Sequence, residues 1–362
     1  MSKPNLRLAF VDFWSGFNPR HNIVTAALEP HYNLQWDEAD PDFLFFSNYG
    51  LRHLHYTDCV KIFYTGENLV PDFNQCDYAV SACRSDFSGR NLYLPPCFLG
   101  CSADSGATLP PVKPEMAHRQ FCSFIYSQDS VGEGSRFRRT FCEQLSMQYA
   151  RVTCPGRVLH NTDAPELAAR GDVDNWNSSK IAYLSKFKFN IAFENSNAPG
   201  YITEKLSDCF LGNTVPIYRG SCGNPAPFPK EAMICANDFP TTEALIARIR
   251  EVNENDDLYL SILASNPFRH GMNTDTAEML ANYLLPILAK GRAPFDKDVW
   301  HFGDAARLAR LGHGASPLAL HLRYLATCMG SIFSVREGKA AARQRRHELK
   351  NALRDLRQIQ SQ

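Results

Sequence analysis

With 362 residues the chain is long enough for two domains, each with its own filled interior. Lys+Arg and Asp+Glu balance at 38 each, so no global field draws it to nucleic acid or to a membrane surface. Hydrophobic residues make up 44%, ordinary for a globular chain, and no apolar run approaches the length of a membrane span. The first residues, MSKPNLRLAFVDFW, carry no apolar core followed by a small-residue cleavage site, so no signal peptide is expected and a cytoplasmic setting follows. The twelve cysteines contain no CxxC pair and several fall in apolar segments. Buried free thiols in a reducing compartment are therefore expected, with no zinc centre.

In chain order, strands are expected at Leu6 to Val11, Asn33 to Trp36, Phe43 to Ser47, Ile62 to Thr65, Tyr78 to Val80 and Leu92 to Leu94, with a helix over Ile23 to Leu28. Strands alternating with short connections imply a mostly parallel α/β sheet. The Pro-rich stretch TLPPVKPEM, Thr108 to Met116, has linker composition and sets a domain boundary. A second half restarts at the strand Phe121 to Tyr126. The helix after it spans about Arg136 to Tyr149, with Phe137, Phe141, Leu145 and Tyr149 on one face. Helices at Thr242 to Val252, Leu258 to Ala264 and Thr276 to Ala289 complete it. The expected domains are residues 1–112, 117–295 and a helical segment with a basic amphipathic tail, 296–362. The tail's leucines suit either contact with a membrane surface, self-association or a solvated helix.

The most informative stretch is Phe187 to Gly220, FKFNIAFENSNAPGYITEKLSDCFLGNTVPIYRG. It reads as strand, polar loop, helix from Ile202 to Leu211, then the strand Val215 to Tyr218. A first helical turn has unpaired N–H groups and a positive dipole end, which favours phosphate. Lys205 adds a full charge there, Glu204 can accept hydrogen bonds from sugar hydroxyls, and Tyr201 falls one turn from Lys205. A Glu-Lys pair in a first turn is also ordinary surface decoration. Glu67, in TGEN after a strand, stands where a general base faces a crevice, and equally where a turn residue would. Of Arg136, Arg138 and Arg139, one pointing inward can fork onto a diphosphate; otherwise the run is a solvated basic face. The DxD triplets Asp40-Pro41-Asp42 and Asp172-Val173-Asp174 are read as turn chemistry rather than metal ligands. No GxxxxGK[ST], GxGxxG or HExxH occurs.

FKFNIAFENSNAPGYITEK with the following TVPIYRG strand resembles the signature of the α-1,3-fucosyltransferases, a family with bacterial and Golgi members. DFW-GF, DPDFLFFSNYG, KIFYTGENLVPDFNQCDYAV and the RRTF helix resemble the bacterial members in order and spacing, over roughly residues 6 to 285. The resemblance implies a GT-B architecture, two Rossmann-like domains with a cleft, with GDP-β-L-fucose on the C-terminal domain and the acceptor on the N-terminal one. It implies inverting transfer with Glu67 as general base, and donor contacts from Arg138, Asn195, Tyr201, Glu204 and Lys205. The implied acceptor is the GlcNAc 3-hydroxyl of a β-galactosyl-GlcNAc (N-acetyllactosamine) unit, giving a Lewis x-type product, as in a bacterial lipopolysaccharide O-antigen. No metal is required by this argument, although Mn2+ can assist GDP release. Two features depart from the family pattern: Arg219 replaces a tryptophan, and SNAPG replaces a loop richer in glycine and aromatics. The rival readings are a GT-B transferase with another donor or linkage, and a silent glycan- or nucleotide-binding protein.

Overall fold

The computed structural model describes residues 3–99, 109–129, 132–169, 173–222, 228–270, 272 and 274–293. The expected tail, Asp172 of the second DxD triplet and the start of the linker at Thr108 lie outside the described residues. The elements are β1 Asn5–Val11, α1 Ile23–Leu28, β2 Asn33–Trp36, β3 Phe43–Phe46, β4 Val60–Tyr64, β5 Tyr78–Ser81, β6 Asn91–Tyr93, β7 Gln120–Ser123, α2 Gly132–Gln148, α3 Val173–Leu184, β8 Phe187–Phe193, α4 Glu204–Leu211, β9 Val215–Arg219, β10 Ile234–Cys235, α5 Thr242–Glu254, α6 Asp256–Ala264 and α7 Thr276–Leu288. Among the described residues no helix is long and apolar enough to cross a membrane.

The chain is an α/β protein with two sheets, ordered β2-β1-β3-β4-β5-β6 and β10-β9-β8-β7. The pairings β1 with β2 and β3, β3 with β4 and β4 with β5 are parallel, as are β7 with β8, β8 with β9 and β9 with β10. Parallel strands covered on both faces read as continuous apolar runs, and β3 (FLFF) and β8 (FKFNIAF) are buried along their whole length. By contact density the described residues divide into two compact units: those of 3–65 with 71–80 and 281–293, and those of 66–70 with 81–280. The TGEN loop thus belongs to the second unit, together with the stretch Phe187 to Gly220.

In the second unit, Phe189, Ile191 and Phe193 of β8 pack with Phe124, Phe141, Leu145, Val215, Ile217, Ile249 and Tyr259 in one core cluster. The helix α2 starts at Gly132, four residues before the expected position, so the arginine run lies past its first turn rather than in it. Gly134 explains this close start: a Cβ there would fall 2.4 Å from the Asn195 carbonyl oxygen. Only the bare glycine backbone lets α2 pass so close to the end of β8.

One further expectation is corrected, that for the cysteines, and the first DxD triplet gains its partners. Asp40 and Asp42 are engaged by Arg7, at 2.9 and 2.7 Å, and Asp40 also pairs with Arg292, so this triplet clamps the first unit. Cys222 and Cys235 are joined as a disulfide, whereas free thiols were expected. The reason is register: β9 and β10 pair in parallel with Tyr218 opposite Cys235, which returns the chain after β9 to the end of β10. Eight other described cysteines are free, seven of them buried.

Candidate active site

The strand β8 delivers its last residues, Glu194 and Asn195, to the carboxyl edge of the second sheet, where open α/β sheets bind ligands. Glu194 is buried, 2% exposed. Its Oε1 accepts from the Thr203 N–H at 2.8 Å and its Oε2 from the Thr203 hydroxyl at 2.8 Å, and Lys205 Nζ stands 3.3 Å away. Thr203 is the N-cap of α4: its Oγ1 accepts from the N–H of Lys205 and, at 2.9 Å, from Lys205 Nζ. Two of the helix-start N–H groups are therefore already satisfied by protein oxygens. The charge offered to an anion comes from side chains rather than from those amides. Tyr201 does not share a helical face with Lys205, because it precedes the cap; it is buried, 3% exposed.

A cavity of about 770 Å3 opens on this edge, entirely within the second unit. Its wall includes Glu67, Arg138, Asn195, Glu204 and Lys205. Five of the six residues singled out in the sequence meet in one space, and Tyr201 is not part of the lining. The TGEN loop is tied to the loop after β8 by the Asn68 side-chain amide donating to Ser196 Oγ at 2.8 Å. Of the three arginines, Arg138 is the buried one. Its guanidinium lies 4.0 Å over the Tyr126 ring and donates to the Gln128 carbonyl. Arg139 turns outward to Asp129, at 2.7 Å, and Glu143.

Several lining residues gave no signal in the sequence. Tyr126 donates to the Ile191 and Phe193 carbonyls and accepts from the Phe193 N–H, locking the end of β8 under Arg138. Lys180 of α3 is buried and bonds Asp208 at 2.7 Å. Asp208 lies one turn beyond Glu204 on α4, a spacing that was visible, but the partner from α3 was not. Trp176, Arg157 and Ser135 complete that side. Ser135 Oγ and Asn195 Oδ1 are both buried without a hydrogen-bond partner among the described residues. Orphaned polar atoms in a cavity wall are groups that a polar ligand can satisfy.

The electrostatics follow from crowding of opposite charges. Burial pushes Glu194 up from the ordinary carboxylate range, and Lys205 only partly offsets this. Glu204, its side chain 47% exposed but enclosed by the cavity wall, is pushed up by desolvation; Lys205 and Lys180 outweigh that and hold its carboxyl down at about 2. Burial lowers Lys205, and the carboxylates Glu194 and Glu204 more than reverse it, so the ammonium stays protonated. The cavity wall thus carries four cationic side chains, Arg138, Arg157, Lys180 and Lys205, beside the carboxylate of Glu204. Glu67 reaches the same space from the TGEN loop. Such a set can hold a diphosphate, accept hydrogen bonds from sugar hydroxyls and place a base near them. Arg219 lies with its guanidinium 4.2 Å over the Phe137 ring, so it fills its place by stacking, as an aromatic side chain would.

Comparison with known proteins points the same way. Residues 8–99 match the model of the alpha-(1,3)-fucosyltransferase FucT N-terminal domain. Residues 122–274 match the C-terminal model of glycosyltransferase family 10 (fucosyltransferase). The chain is similar to alpha-(1,3)-fucosyltransferase FucT of Helicobacter pylori, 26% identical over 74% of this chain and 61% of that protein. It is also similar to alpha-(1,3)-fucosyltransferase B of Drosophila melanogaster, 31% identical over 47% of this chain and 38% of that one. The chain therefore spans about three fifths of the length of the first of these relatives and less than half of the second. Among solved structures, an alpha1,3-fucosyltransferase with GDP superimposes with a TM-score of 0.63 at 22% identity, covering 82% of this chain and 94% of that one. The same enzyme type with GDP-fucose gives 0.61 at 23%, covering 84% and 94%. Those superpositions carry the fold, a GT-B arrangement of two parallel α/β units. The chain belongs to glycosyltransferase family 10, the fucosyltransferase family.

Proposed function

We infer that this protein transfers L-fucose from GDP-β-L-fucose, with inversion, to the GlcNAc 3-hydroxyl of a β-galactosyl-GlcNAc acceptor. The observation that carries the reading is the convergence of Glu67 with Arg138, Asn195, Glu204 and Lys205 on one cavity. Family membership and the relatives solved with GDP and GDP-fucose support the choice of donor. In this reading residues 117–295 carry the donor and residues 1–112 the acceptor, with Glu67 reaching from the first stretch into the donor cavity.

The geometry supports each role in this reading. Arg138 and Lys205 neutralise the diphosphate and the charge that grows on departing GDP. Their positions are fixed before substrate arrives, Arg138 by Tyr126 and Gln128, Lys205 by Glu194 and Thr203. Glu204, ionised, accepts hydrogen bonds from donor hydroxyls, and Asn195 supplies its unpartnered Oδ1. Tyr201 contributes from behind the wall by packing. Glu67 removes the proton from the attacking acceptor hydroxyl, and the sugar–phosphate bond breaks as the new bond forms on the opposite face. No metal is required in this reading; an added Mn2+ would serve only to assist GDP release. The product is Lewis x-type, as in a bacterial O-antigen.

The test is Glu67→Ala. Transfer to N-acetyllactosamine is expected to fall by at least about 100-fold, the usual contribution of a positioned base, with GDP affinity by calorimetry unchanged. Full transfer by the variant removes the assigned base.

A further inference from the structure

The DFWSGF segment after β1 takes no part in the cavity, yet the first unit holds it with unusual structure. Asp12 lies in the left-handed region at φ 61°, a conformation that costs a non-glycine residue about 1 kcal/mol or more. Its carboxylate accepts from the Arg52 and His53 N–H groups, each at 2.9 Å, and bonds His53 Nδ1 at 2.7 Å. Its carbonyl accepts from the Tyr49 N–H at 3.0 Å. Gly50 is packed against it, since a Cβ there would lie 2.4 Å from Asp12 Oδ1. His53 is buried, stacked on Phe46 at 4.1 Å, with its Nε2 on Gln75 Oε1 at 2.8 Å. One aspartate therefore binds together the loops that follow β1 and β3.

From that hub two large rings face solvent. Trp14 is 45% exposed and Tyr49 51%, edge to face with centroids 6.2 Å apart. They do not flap on a free loop. Trp14 rests on Phe17 at 5.2 Å, Phe17 stacks on Phe13 at 3.9 Å, and Phe13 meets Phe10 of β1 and Tyr64 of β4 at 5.8 and 6.1 Å. Both loops leave the carboxyl ends of parallel strands, the edge at which such sheets bind ligands.

We propose that Trp14 and Tyr49 form a saccharide platform that receives the apolar face of an acceptor pyranose ring. This rests on the fucosyl-transfer reading for the identity of the sugar. The chemistry fits: a pyranose has a C–H face that packs on an aromatic plane and an equatorial rim of hydroxyls that stays wet. Half-exposed, the two rings offer roughly 75–125 Å2 each, half of what such a ring buries in full, which suits one sugar unit and falls well short of the roughly 1,200–2,000 Å2 of a stable protein interface. A fixed aromatic surface also loses little side-chain freedom on binding.

The experiment uses the full chain with N-acetyllactosamine, comparing wild type with Trp14→Ala, Tyr49→Ala and the conservative Trp14→Phe. Acceptor KM is expected to rise about tenfold or more in each alanine variant, the scale of one lost aromatic contact, while Trp14→Phe stays within about threefold. Donor KM and GDP affinity, which report an intact fold and cavity, are expected to remain as in wild type. Unchanged acceptor KM in both alanine variants overturns the platform, as does a change in sedimentation behaviour in place of the KM effect. If the wild type turns over no GDP-fucose, the transfer reading fails and the platform is judged by saturation-transfer NMR alone. Saturation of sugar C–H protons that Trp14→Ala abolishes upholds it; saturation unaffected by the substitution, or none at all, overturns it.

Discussion

Lys205, the proposed phosphate contact, is also held by the protein itself. Its ammonium is held by the buried Glu194 and by Thr203, so its position is set before any anion arrives. Lys205→Ala is expected to weaken GDP binding about 10- to 100-fold by calorimetry, the range for losing one charge-assisted contact. Arg139→Ala, which removes a guanidinium engaged with Asp129 and Glu143 outside the cavity, is expected to leave GDP affinity unchanged. Equal losses in both variants contradict the assignment. Glu204 provides a pH signature. Its carboxyl is held at about 2, below the ordinary 4.5, so it favours the folded state fully above 4.5 and loses that contribution as pH falls towards 2. The stability difference between wild type and Glu204→Gln in urea titrations is expected to shrink over that window; solvent screening of a half-exposed group keeps it small. A difference that grows on acidification contradicts the sign.

Sequence legibility at this scale was uneven. Glu67, Asn195, Glu204 and Lys205 were readable as candidates because they sit at element ends in short motifs that resemble a family, and Arg138 because it falls in the RRTF helix of the same resemblance. Tyr126 and Lys180 were not, because their roles depend on which strand end and which helix face meet. A tyrosine between Ile125 and Ser127 looks like any strand residue until its hydroxyl is seen to close the end of β8. Glu194 and Glu204 also differ in a way that the sequence does not show. Burial separates them: Glu194 is enclosed and bonds Thr203, whereas Glu204 lines the cavity.

Among the elements, α4 was expected from Ile202 and begins at Glu204, because Thr203 caps it instead of entering it; its end at Leu211 is as expected. The beginning of α2 was missed by four residues. Local propensity favours starting at the arginines, and the glycines at 132 and 134 look like loop. Tertiary contact overrides this, because Gly134 must pass the Asn195 carbonyl. Gly134→Ala would normally favour a helix, yet here it forces a 2.4 Å approach to backbone. It is expected to destabilise by about 1–3 kcal/mol in denaturant melts and to lower GDP affinity by displacing Arg138 from the cavity wall. A stabilised variant, as helix propensity alone dictates, contradicts this account of the packing.

For the whole molecule, a mostly parallel α/β arrangement was legible from strands alternating with short connections, and the sheet orders were not. Strand order decides what lies beside what: it places Cys235 opposite Tyr218 and closes the disulfide with Cys222 that spacing alone did not suggest. It also gathers residues 66–70 with 81–280, so a loop numbered in the first half shares a compact unit with the second. The central claim is that this assembly is a fucosyltransferase of defined donor and linkage. The direct measurement is to incubate the full chain with GDP-fucose, GDP-mannose or UDP-sugars and a pair of acceptors, Galβ1-4GlcNAc and Galβ1-3GlcNAc, and to solve the product linkage by NMR. The account predicts GDP release coupled to a single α-fucosyl residue on O3 of the GlcNAc in Galβ1-4GlcNAc, with GDP-fucose alone as donor. Transfer only from a non-fucose donor, or of fucose to a hydroxyl other than O3, contradicts it.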